Sequence, residues 1–141
     1  PDKEEISKIY EVREGLEKMA VELFLSNFDK SKLHKLIEIT KKMEAVNNIK
    51  DSKKRAQAAM ELDYNFHFEL CQLSENDYLI HYHRQLCLHL NMSAVHAKSY
   101  TSLKDAYFES HHKVLKSLQT QSIKAIKYLD EHFNNVWVFF K

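Results

Sequence analysis

Met60-Glu61-Leu62-Asp63-Tyr64-Asn65-Phe66-His67-Phe68-Glu69-Leu70 reads as the middle of a helix. Apolar residues recur through and around it at Ala56, Ala59/Met60, Phe66, Leu70 and Leu73, the three-and-four spacing of a buried helical face. Asp63 and His67 fall in phase with that stripe. Being four apart, they stack on one side of the helix, with β-carbons about 5–6 Å apart. A carboxylate aimed into a core is costly unless it is paired or bound to a metal. This helix therefore sets the question that the rest of the chain has to answer.

Before and after it lie further helical patterns. A first helix is expected over residues 3–25, with Ile9, Val12, Leu16, Met19/Ala20 and Leu23 inward and Glu and Lys on the other side. Gly15 inside it costs about 1 kcal/mol relative to Ala and is read as a mark of close packing. Asp29 is a credible N-cap for a second helix reaching Val46, with Leu33, Leu36/Ile37, Thr40 and Met43 inward. The polar run Asn47-Asn48-Ile49-Lys50-Asp51-Ser52 leads into the third helix, residues 53–73. Ser74-Glu75-Asn76-Asp77 makes the next turn, with Asn76 as a cap.

A fourth helix, residues 77–98, is apolar over much of its circumference and is expected to be central. Ser99-Tyr100-Thr101-Ser102 interrupts it. A fifth helix follows over residues 103–118, with Tyr107/Phe108, Val114/Leu115 and Leu118 on its stripe. After the turn Gln119-Thr120-Gln121-Ser122, a sixth runs to the end, with Ala125/Ile126, Leu129, Phe133 and Val136 inward. Long helices joined by short connections imply antiparallel neighbours, so the expected fold is an all-α, antiparallel bundle of six to seven helices.

Composition agrees. The chain has 141 residues, enough for one domain with a real core, and a single Gly and a single Pro, too few for the turns of a β-rich or α/β chain. With 44% hydrophobic residues it is neither disordered nor membranous, and no apolar run approaches the ~18 residues of a spanning helix. A net charge of +1 with interspersed signs is not a nucleic-acid footprint. Cys71 and Cys87 lack a CxxC partner and read as reduced, partly buried thiols of a cytoplasmic protein.

Nine histidines are many for this length. His111 lies three and four residues before Val114 and Leu115, in core phase; its neighbour His112 is rotated by about 100°. His132 falls three after Leu129, again inward. Asp63, His67, His111 and His132 thus project inward from three helices. One carboxylate and three imidazoles suit Zn²⁺, Ni²⁺, Mn²⁺ or Fe²⁺ rather than Ca²⁺ or Mg²⁺, which prefer all-oxygen shells. Any one core-phase histidine alone is more often a hydrogen-bonded core residue, and Asp63 could simply pair with His67. The coincidence of four in-phase donors is what raises the metal reading beside the bland one. His81, His83 and His96 form no constellation. Arg13, at the edge of the first stripe, is read either as an anion anchor or as half of a salt bridge.

In order, Glu11-Val12-Arg13-x-x-Leu16-Glu17, Asp63-x-x-Phe66-His67, Leu73-Ser74-Glu75-Asn76-Asp77-Tyr78-Leu79, His111-x-x-Val114-Leu115 and Leu129-x-x-His132 resemble the FCD domain, the effector-binding domain of FadR-like, GntR-type bacterial transcription regulators. The resemblance covers nearly the whole chain. It implies a non-enzymatic regulatory domain and a metal site on Asp63, His67, His111 and His132, with zinc or nickel favoured and manganese or iron as further candidates. It also implies a small carboxylate effector lying against that metal. A turn one residue shorter than the common pattern leaves His112 as an alternative to His111. His89 stands where the family often has an Arg and is a further effector-pocket candidate beside Arg13.

The resemblance further implies a homodimer that reaches operator DNA only through a winged helix-turn-helix domain missing from residues 1–141, and no membrane partner. The runner-up reading is a metal-free acyl-CoA or fatty-acid binding domain; a third is a metal-dependent enzyme on a helical bundle. The tail Val136-Trp137-Val138-Phe139-Phe140 is too apolar to be all surface and is expected either to pack on the bundle or to form an interface with a second subunit or the missing domain.

Overall fold

A computed structural model describes residues 2–90 and 107–137. Six α-helices account for most of them: α1 (Lys3–Ser26), α2 (His34–Ala45), α3 (Ser52–Gln72), α4 (Asp77–Leu90), α5 (Tyr107–Gln119) and α6 (Lys124–Trp137). Short 3₁₀ turns, Lys30–Leu33 and Val46–Asn48, flank α2. No strand occurs among the described residues. The continuation of the fourth helix to residue 98, the break at residues 99–102, the start of the fifth helix at residues 103–106, His96 and the side chains of the tail at residues 136–140 lie outside them.

Local chemistry sets the ends. Asp2 accepts from the Glu5 N–H at 2.8 Å, Asp51 from the Lys54 N–H at 2.9 Å, and Asn76 from the N–H groups of Tyr78 and Leu79 at 3.1 Å each. Each side chain satisfies donors that the first helical turn leaves orphaned. Asp29 caps a 3₁₀ turn before α2, accepting from Ser31 N–H at 3.0 Å.

α5 and α6 form the closest antiparallel pair; α3 packs on α1, α2 and α4, and α2 and α6 close the ring through α5 and α1. Ile6, Tyr10, Phe24, Leu36, Phe66, Leu70, Leu118, Leu129 and Phe133 share one core. At about 1.5–3 kcal/mol for each large side chain fully buried, this core is the main stabilising term. Among the described residues, no helix is long and apolar enough to cross a membrane.

Three expectations change. On α1, Val12 and Met19 are about half exposed, and the buried face is Ile6, Ile9, Tyr10, Arg13, Glu17, Ala20, Val21 and Phe24. Two charged residues hold interior positions because they pair with each other, so the face is rotated from the most hydrophobic one. Over its described residues, α4 packs on α1 and α3, buries Leu79, His83, Cys87 and Leu90, and leaves Tyr78, Tyr82 and Leu88 exposed, so this part of it buries one face rather than most of its circumference. Gly15 marks no close approach; it is exposed, and a Cβ there would meet nothing within 4 Å.

Candidate metal centre

The third helix delivers Asp63 and His67 from adjacent turns of one face, as their spacing requires. α5 brings His111 and α6 brings His132 to the same point. One ligand atom from each of the four residues lies within 4.8 Å of all the others. The Asp63 Oδ1 is 2.8 Å from His111 Nε2, 3.2 Å from His67 Nε2 and 3.8 Å from His132 Nε2; His67 Nε2 and His132 Nε2 are 3.0 Å apart. Metal–ligand bonds of about 2.1 Å put neighbouring donor atoms ~3.0 Å apart at right angles and ~3.4 Å apart at the tetrahedral angle. The observed spacings straddle those values. His112, the alternative to His111, lies outside the cluster, stacked on Phe108 with ring centroids 5.2 Å apart.

The outward ring nitrogens explain why the Nε2 atoms converge. His111 Nδ1–H donates to the Tyr107 carbonyl at 2.6 Å. His132 Nδ1–H donates to Ser110 Oγ at 2.9 Å, whose own hydroxyl donates to the Tyr107 carbonyl at 3.3 Å. His67 Nδ1–H donates to Glu17 Oε1. With every Nδ1 turned toward an acceptor, all three Nε2 atoms face inward, where they hydrogen-bond to Asp63 and to one another. A divalent cation bound here would take the place of the protons shared among these nitrogens and the Asp63 carboxylate. The donor set therefore fits a divalent transition metal.

Asp63 and His132 hold the charge states a ligand needs, whereas at His67 burial is outweighed by the Glu17 and Asp63 carboxylates, which raise it above its ordinary value, so protons compete with a metal there. Burial, reinforced by the neighbouring imidazoles of His111 and His67, holds His132 well below the ordinary histidine range and so neutral, with its lone pair free. Burial opposes ionisation of Asp63, yet His67 and His111 outweigh it and keep its carboxyl well below the usual range. Phe66 meets the His111 ring edge-on at 4.8 Å, and Phe133 lies 5.7 Å from the His67 ring, so apolar surface surrounds the imidazoles. Asp63, at 22% exposure, is the most accessible of the four and marks the solvent side.

A second buried polar group adjoins the first. Arg13 Nε donates to Glu17 Oε2 at 3.0 Å, and the guanidinium stands over the rings of Tyr10 and Phe133. His83 Nε2 reaches the same Oε2 at 3.3 Å and contacts Cys87 Sγ at 3.7 Å. Burial opposes charge on His83, but the thiols of Cys71 and Cys87 and the Glu17 carboxylate pull it up to about 12. Arg13 is thus half of an ion pair, bound to the carboxylate that also holds His67.

His89 is not brought to the site. Two residues past the buried Cys87, it is turned about 200° around α4, and it sits exposed with Nε2 2.9 Å from Glu5. Glu17 and His83 are the residues that sequence reasoning missed. The readable signal for Glu17 is Arg13-x-x-x-Glu17 lying in phase with Ile6, Tyr10, Ala20 and Phe24.

No curated protein and no solved structure matches the chain. A comparison with known families does match, over residues 8–135, to the FCD domain. That span takes in every helix of the bundle and all four clustered residues, and the chain belongs to the FCD family, the effector-binding domains of GntR-type, FadR-like regulators.

Proposed function

We propose that this domain senses a small carboxylate through a divalent transition metal held by Asp63, His67, His111 and His132. The observation that carries the reading is the convergence of four donor atoms within 4.8 Å, in a core where each imidazole's other nitrogen is already satisfied. Zn²⁺ and Ni²⁺ suit this set best, with Mn²⁺ and Fe²⁺ next. Bound there, the ion supplies a Lewis-acidic centre that an anionic ligand can join. Asp63 lies on the accessible side, which is where a ligand would enter. Arg13 sits one carboxylate away from His67 and adds positive charge near the site; it would contact the effector only by leaving Glu17.

As part of a cytoplasmic regulator, the domain would act as a homodimer and reach operator DNA through an attached winged helix-turn-helix. An effector shifts such an equilibrium only by binding one arrangement better than the other. The metal-free acyl-CoA reading has no observation in its favour here, since all four donors are assembled. Enzymatic turnover is not expected of this family.

The test is metal content by inductively coupled plasma mass spectrometry, for the wild type beside an Asp63→Ala/His132→Ala variant. Near-stoichiometric Zn, Ni, Mn or Fe in the first and none in the second is the expected result. No metal in either, even after reconstitution, would sink the reading. Small carboxylates are then screened by thermal shift with the metal present, because a ligand of the folded state raises its stability.

A further inference from the structure

The four ligands leave one buried carboxylate unexplained. Glu17 is fully buried on α1, a helix that contributes none of them. A carboxylate in a core is costly unless paired and hydrogen-bonded. Arg13 alone could neutralise it through a two-pronged fork. The guanidinium instead offers Nε to Oε2, which also receives His83, while Oε1 faces His67 Nδ1. The other two ligand imidazoles rest on neutral acceptors, the Tyr107 carbonyl and the Ser110 hydroxyl. Only His67 rests on a charge.

We propose that Glu17 is a positioning residue of the metal centre: its carboxylate fixes the tautomer and ring angle of His67 and makes that imidazole the most basic of the three nitrogen donors. A carboxylate behind a ligating histidine holds Nε2 toward the ion and strengthens it as a donor. α1 is thereby tied to the site without supplying a ligand. The inference rests on the metal reading above and goes beyond it.

Zn²⁺ affinity is measured by competition with a chromophoric chelator for the wild type, Glu17→Gln and Thr40→Val. Gln keeps the size and one acceptor but removes the charge. Thr40 is a buried polar residue bonded only to the Leu36 carbonyl among the described contacts, so its variant controls for general loosening of the core. Glu17→Gln should weaken Zn²⁺ binding about 10–100-fold, and Thr40→Val by less than about 3-fold. Equal affinity of Glu17→Gln and wild type overturns the proposal while leaving the metal site standing. A wild type that binds no Zn²⁺ overturns both.

The second readout survives even if Glu17→Gln does not fold. Two-bond ¹H–¹⁵N correlation spectra of the Zn²⁺-loaded wild type should show His67 protonated on Nδ1, with its imino proton shifted downfield of those of His111 and His132. A His67 protonated on Nε2, or an unshifted Nδ1 proton, overturns the assignment.

Discussion

Two polar regions meet at His67, and they differ in how their charges close. On the α1 and α4 side, Arg13 and His83 both close onto the Glu17 carboxylate within one network, flanked by the Cys71 and Cys87 thiols. On the α3, α5 and α6 side, one carboxylate and three imidazoles aim potential ligand atoms at a common point. The first region is complete as protein. The second is rich in lone pairs and fits a cation. Buried polarity alone does not distinguish a structural network from a binding site; the direction in which donors and acceptors point does.

The largest expected effect lies in the Arg13–Glu17–His83 region. Arg13→Met removes one cationic partner of a fully buried carboxylate and should cost about 3–5 kcal/mol in urea denaturation, with Arg13→Met/Glu17→Leu recovering much of it. If the single variant is as stable as wild type, the network is not closed by the Arg13–Glu17 pair.

A smaller effect separates the regions by pH. His83 is raised to about 12, so its contribution is fully present below the ordinary histidine value of about 6.5 and is lost as pH rises toward about 12. Its slope is at most about 1.4 kcal/mol per pH unit. The metal cluster has the opposite sign, because protons compete with the ion for imidazole lone pairs. Denaturation at pH 7, 8.5 and 10 should show a decline in wild type that is shallower in His83→Gln, while metal retention should fall only on acidification below about pH 6.5. A metal lost in alkali and kept in acid would break the contrast.

The smallest effect lies outside both regions. Gly15→Ala, in an exposed helix interior with open space at its Cβ, should add about 0.5–1 kcal/mol to stability and leave metal content unchanged. Thermal melts with elemental analysis check both halves.

What can be read from the chain follows the same division. Asp63, His67, His111 and His132 are legible because each sits within a clear apolar period, which assigns its phase from sequence alone. α1 is misphased by its pattern because two charged residues occupy its inner face, and hydrophobicity counts them as outside. That pair hides Glu17 as well. His83 is unreadable for another reason: α4 carries apolar residues on all sides, including the exposed Tyr78, Tyr82 and Leu88, so no phase stands out. His89 inherits the same ambiguity; the family position suggests a pocket residue, yet it lies beside Glu5 on the surface. The bundle itself needs only the scarcity of Gly and Pro and the spacing of apolar residues.

The spacing of the ligands along the chain has a kinetic meaning. His67 and His132 are 65 residues apart in sequence, and Asp63 and His111 are 48 apart. An ion held by all four would act as a staple across long loops, present only in the folded chain and adding its binding free energy to that of the fold. Such a staple can form only after α3, α5 and α6 have come together, since no two ligands except Asp63 and His67 are local. Metal should then leave the refolding rate nearly unchanged and slow unfolding, lengthening the lifetime of the folded chain more than it hastens its arrival.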